Sequence, residues 1–97
     1  MQYRFTAALW RHTGAAAWHF ITLPKPQSDA IRALFAADAR AWGSLPVRAA
    51  IGGVRWQTSL FPDRKAGAYL LPVKAAVRRQ AGIGDGDSVP VTLDLRP

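Results

Sequence analysis

Between Tyr69 and Leu95 the chain reads YLLPVKAAVRRQAGIGDGDSVPVTLDL, and nearly every residue in that run restricts the backbone. Tyr69, Leu70 and Leu71 make a short apolar run closed by Pro72, which cannot donate to a strand ladder, so a strand is expected to end there. Val73, Val77 and Ala81 recur four apart while Lys74, Arg78, Arg79 and Gln80 take the other positions, which predicts a short amphipathic helix. Gly82 is placed to cap that helix in the left-handed conformation, with Ile83 packing back on the last turn, and Arg78 and Arg79 complement the negative helix end. Gly84-Asp85-Gly86-Asp87 supplies a tight turn. Val89, Val91, Leu93 and Leu95 then alternate with Ser88, Pro90, Thr92 and Asp94, the pattern of a strand with one buried face. Pro90 suggests an edge or a bulge within it.

The rest of the chain supplies partners for this unit. Tyr3, Phe5, Ala7 and Leu9 alternate with Arg4, Thr6, Ala8 and Trp10, a strand broken at Thr13-Gly14-Ala15. Trp18 to Leu23 reads as the return strand of a hairpin, ended at Pro24, and Lys25-Pro26 is expected to stay extended. Ser28 is a suitable N-cap and Asp29 suits a first turn, so the longest helix is predicted to start there and to carry Ile31, Leu34, Phe35, Asp38, Ala39 and Trp42 at helical spacing up to a Gly43 cap. Val47, Ala49 and Ile51, Gly52-Gly53, and Val54 to Leu60 form a second hairpin whose outgoing strand is expected to stop at Pro62. Asp63 to Gly67 reads as an exposed charged loop.

A weak internal echo links Ile21-Thr22-Leu23-Pro24 and Tyr69-Leu70-Leu71-Pro72, each followed by a predicted helix. It suggests two related strand-helix halves closing one barrel, although strand-proline-helix junctions are also common without kinship.

At 97 residues a single domain spanning 1–97 is expected. There is no cysteine, which excludes disulfides and thiol catalysis, and no apolar run approaches the roughly 20 residues of a membrane span. These features point to a cytoplasmic protein. The net charge of +7 arises from 13 Lys and Arg against six acidic residues, all of them aspartate. It invites a polyanionic partner, while the scatter of arginines along the chain equally fits a solvated surface.

Two resemblances follow from these runs. Leu71 to Leu93, LPVKAAVRRQAGIGDGDSVPVTL, resembles the closing unit of the transition-state-regulator (AbrB-type) swapped-hairpin DNA-binding domains, over the last quarter of the chain. The larger set resembles the bacterial family called domain of unknown function nineteen-zero-five: Phe5 to Ala7, Trp18 to Pro24, Ile51-Gly52-Gly53, Trp56 to Pro62, and Gly67 through Leu93. That resemblance covers nearly the whole chain and implies an α+β fold, a small double-split β-barrel of about six short strands with two helices. It brings no catalytic residues with it.

No constellation commits the sequence to a reaction. His12 and His19 begin a metal site that has no third ligand nearby in sequence, so neither a metal nor another cofactor is expected. Thr58, Ser59 and Ser88 sit in no nucleophile elbow, Gly82 to Gly86 lacks the ending of a phosphate loop, and Asp85 and Asp87 lack the remaining ligands of a calcium loop. Two groups remain. Arg64, Lys65, Lys74, Arg78 and Arg79 would meet phosphates in the AbrB-like picture, or would merely solvate a loop and satisfy a helix dipole. Trp10 and Trp18, near the tip of the first hairpin, would stack on bases or fill a partner's pocket, whereas Trp42 and Trp56 suit the core. The leading expectation is a non-enzymatic binding or interaction module, as monomer or homodimer. A nucleic-acid-binding protein and a small-ligand barrel or enzyme are the alternatives.

Overall fold

The computed structural model describes residues 1–14 and 17–96; Ala15, in the expected break after the first strand, lies outside the described residues. Six strands and two helices follow in the order β1 (Gln2–Arg11), β2 (His19–Thr22), α1 (Lys25–Phe35), β3 (Leu45–Ile51), β4 (Val54–Asp63), β5 (Ala68–Pro72), α2 (Ala75–Ala81) and β6 (Ser88–Asp94). The strands close an antiparallel barrel with neighbour order β1-β2-β5-β4-β3-β6, so the architecture is α+β. One chain completes the ring. No helix among the described residues is long and apolar enough to cross a membrane.

Alternation places one face of each strand inside. Leu9, Ile21, Leu60, Leu71 and Leu93 are fully buried, and Val73, just before α2, and Val77, within it, join the same core. The two ten-residue strands each serve two sheets. β1 pairs with β6 from Gln2 to Ala8 and with β2 from Leu9 to Arg11. β4 pairs with β3 from Val54 to Leu60 and with β5 from Phe61 to Asp63. Each long strand therefore leaves one edge of its first stretch without a neighbouring strand, and these are the two splits of the barrel.

The internal echo has a structural counterpart. Exchanging β1 with β4, β2 with β5 and β3 with β6 leaves the neighbour order unchanged. At the seam between β2 and β5, where Ile21 lies opposite Leu71, the Leu23 N–H donates to the Tyr69 carbonyl and the Val73 N–H to the His19 carbonyl, both at 2.9 Å. Donors and acceptors in these two bonds correspond at a spacing of fifty residues, as do the first residues of the helices, Lys25 and Ala75.

The C-terminal unit forms as its sequence dictates. Gly82 is left-handed at φ 68°, and the Ile83 N–H returns to the Arg78 carbonyl at 3.1 Å, closing the last turn of α2. Space around Gly82 is open, so a methyl group there would cost backbone strain alone. Gly82→Ala should lower stability by about 1 kcal/mol. Gly84→Ala, equally unobstructed and without a positive φ, should be near neutral. Equal urea midpoints for the two variants would contradict the capping role. Gly52-Gly53 makes the expected hairpin turn, with Ile51 opposite Val54. Pro90 stands where β6 pairs with β1 alone, because β3 joins β6 only from Thr92 to Asp94, so the expected edge is local.

Other expectations are corrected. α1 starts at Lys25 instead of at Ser28: Pro24 occupies the cap position and Pro26 the first turn, where a missing N–H breaks no helical bond. Ser28 is consequently inside the helix and fully buried. The helix ends at Phe35, followed by separate 3₁₀ turns at Ala36–Asp38 and Ala41–Gly43, so the spacing that places Trp42 on its face does not apply. Trp42 has a left-handed backbone (φ 59°) and is 88% exposed, not packed in the core. β4 continues through Pro62 to Asp63, because its partner changes from β3 to β5 at that point.

Candidate groove at the split in β4

Trp56 and Thr58 lie on the inward parity of β4, yet both are only half-buried. The reason is the split, since β5 pairs with β4 only from Phe61 onward. Over the gap lie the end of β5, the start of α2 and the approach to β2. Together they enclose a groove of about 730 Å³. Trp18, Trp56, Phe61 and Pro72 make its apolar surface, and Lys74 and Arg78 supply positive charge. Among the described residues, no carboxylate lines it.

The groove's side chains are held in different ways. Trp18 is 57% exposed but stacks on Phe20, with ring centroids 6.1 Å apart and an interplanar angle of 13°. Phe20 in turn rests against Trp10 at 5.3 Å, and the Trp10 indole N–H donates to Thr22 Oγ1 at 2.9 Å. This row fixes the Trp18 ring while leaving its other side to solvent. The Arg78 guanidinium is half-buried and donates from Nη1 to the Val73 carbonyl at 2.7 Å, which pins it at the start of its own helix. Ala75, with its short side chain, keeps the space open beside it.

The structure brings together only part of the residues singled out in the sequence. Lys74 and Arg78 meet Trp18 in the groove, whereas Arg79 is exposed on α2 outside it. Arg64 and Lys65 lie in the β4–β5 turn, whose Gly67 carbonyl accepts from Lys25 Nζ at 2.8 Å, so that turn is tied to α1. Trp10 is behind Phe20 and does not line the groove. His19, Thr58 and Ser59 do line it. His12 has Nδ1 2.9 Å from the Gly14 N–H, and its ring meets Phe20 edge-on. Asp87 Oδ2 accepts from the Gly84 N–H at 2.8 Å, and Asp85 Oδ1 from the Arg11 N–H at 3.2 Å, which makes both aspartates turn residues. Among the described residues, no three His, Cys, Asp or Glu side chains cluster as metal ligands.

Trp56, Gln57 and Phe61 line the groove without standing out in the sequence as site residues. One signal for them is present: Thr58 is a hydroxyl at an inward position of β4, an anomaly on a face that is otherwise apolar.

The family model described as "Domain of unknown function (DUF1905)" matches residues 5–93, a span that takes in β2 to β5, both helices and most of β1 and β6. The chain belongs to this family. None of the curated proteins matches it. Membership of a family described only as a domain of unknown function carries no activity with it, and the groove has to be read from its own chemistry.

Proposed function

We propose that this DUF1905 domain is a non-enzymatic binding module whose ligand, an anion with a flat apolar body, enters the groove at the β4 split. The observation that carries this reading is the exposed Trp18 ring beside Lys74 and Arg78 in a cleft lined by no described carboxylate. An apolar wall with a few fixed polar groups is the usual form of a small-ligand site. Arg78, already anchored by Val73, loses little freedom on meeting an anion.

Binding is favoured over catalysis by the surroundings of the hydroxyls. The His19 ring nitrogen nearest a hydrogen-bond partner faces the Ala17 carbonyl at 3.2 Å, and it forms no hydrogen bond with Ser59 or Thr58 that would activate a nucleophile. Closure of the ring within one chain supports a binding unit that needs no second copy. A cytoplasmic location belongs to the same proposal, on the ground of the cysteine-free composition.

Anilinonaphthalene sulfonate, a flat aromatic anion, is a direct probe. Its fluorescence should rise saturably with one site per chain. Arg78→Gln should weaken binding about tenfold, the size of one lost charge-assisted hydrogen bond. Trp18→Ala should weaken it by a similar factor. Affinities unchanged in both variants would mean that the dye sits elsewhere and that the groove is not the site.

A further inference from the structure

A second depression of about 620 Å³ adjoins the groove and shares Trp56 and Gln57 with it. It lies on the outer face of the sheet formed by β1, β6, β3 and β4, and Arg4, Arg48 and Arg55 line it. Strand register explains their convergence from distant parts of the sequence. Arg4 lies opposite Thr92, Thr92 opposite Ala50 and Ala50 opposite Arg55, one row across four strands. Gln2, Asp94, Arg48 and Gln57 form the adjacent row. All three arginines are exposed and none forms an ion pair with a described residue. Among the described residues that line the depression, Asp94 is the one carboxylate, and its Oδ1 is 3.3 Å from the Met1 amino nitrogen.

From these two adjoining surfaces we infer that the domain holds a single-stranded polynucleotide, with bases stacking in the groove on Trp18 and Trp56 and the backbone phosphates running on over Arg55, Arg48 and Arg4. The groove portion rests on the binding reading above; the arginine portion does not. Arg4 and Arg55 are three strands apart, about 14 Å at ordinary strand spacing, so the cations suit a chain of phosphates better than a single one. Aromatic platforms continued by a positively charged surface are the physical requirements for binding single strands without sequence preference, since every base has a face to stack and every nucleotide a phosphate. A duplex keeps its bases stacked inside and would leave Trp18 without a partner. The arginines are reached by the continuation of the groove, not by α2 or the β4–β5 turn.

The test is fluorescence anisotropy with labelled oligo-dT and oligo-U of about 12 nucleotides, within the site sizes of small barrels, titrated at low and near-physiological salt. The two labels distinguish DNA from RNA as the source of the strand. Arg4→Ala/Arg48→Ala/Arg55→Ala should weaken binding at least tenfold and reduce the salt slope by about 2, at roughly 0.7 for each phosphate that is no longer neutralised. Trp18→Ala should weaken binding about fivefold or more while leaving the slope unchanged. The triple variant should still bind anilinonaphthalene sulfonate as the unmodified protein does, which shows that it is folded and that its groove is intact. Oligonucleotide binding indifferent to the triple variant overturns the inference, as does tighter binding of a duplex of the same length. Dye binding without oligonucleotide binding removes the strand and leaves the groove; absence of both removes both.

Discussion

Leu71→Ala should destabilise the domain by about 2–5 kcal/mol, the range for truncating a fully buried leucine. Leu71 has no exposed surface, lies opposite Ile21 in the seam that joins the two halves, and is placed where the chain cannot close over a cavity without moving both strands. Domains of this size are stable by only about 5–15 kcal/mol, so the loss is a large fraction of the total. It should lower the melting temperature by about 8–40 °C, at roughly 4–8 °C per kcal/mol. Leu34→Ala removes the same atoms from a side chain that is 54% exposed and should cost less than about 1 kcal/mol. Thermal unfolding followed by circular dichroism compares the two. Similar shifts would show that the β2–β5 seam is not the tightly packed centre of the barrel.

Ser28→Ala is the second large effect, and its cause is polar. Ser28 is fully buried in α1, and its Oγ accepts the Tyr69 N–H at 3.0 Å, fastening the helix to β5 across the barrel wall. The Tyr69 carbonyl is meanwhile engaged by the Leu23 N–H. Alanine would leave the Tyr69 N–H buried without an acceptor, at a cost of about 1–3 kcal/mol. Hydrogen exchange supplies the specific readout: the Tyr69 amide should lose more protection than the Leu71 amide, which the substitution does not touch. Uniform loss at both sites would point to general loosening and not to this bond.

The parts of the fold that are legible in the sequence are those set by near neighbours. Alternation from Val89 to Leu95, the Gly82 cap and the Gly52-Gly53 turn each depend on a few adjacent residues. Expectations fail where distant segments decide. Ser28 has the chemistry of a cap but is used to meet Tyr69, forty-one residues on, while two prolines start the helix in its place. Pro62 does not end β4, because β5 takes over from β3 as its partner there. Trp42 would suit the core only on an unbroken helix, and the backbone turns left-handed at that residue. The same reason separates the candidate residues. Trp18, Lys74 and Arg78 are visible as residue types, but their meeting over Trp56 depends on the closure of the barrel, and the row from Arg4 to Arg55 depends on three strand registers.

The exchangeable halves of the ring carry different side chains at corresponding positions. Were the same barrel built from two identical chains, every substitution would occur twice, and each split would have to be both a packing surface and an opening. Joined in one chain, the halves can diverge independently. The position that is Ser28 in the first half, buried and bonded to Tyr69, is Arg78 in the second, half-buried and turned to the groove. Corresponding positions in one chain are thus free to take different roles, one fastening a helix to β5 and the other lining the opening at the β4 split.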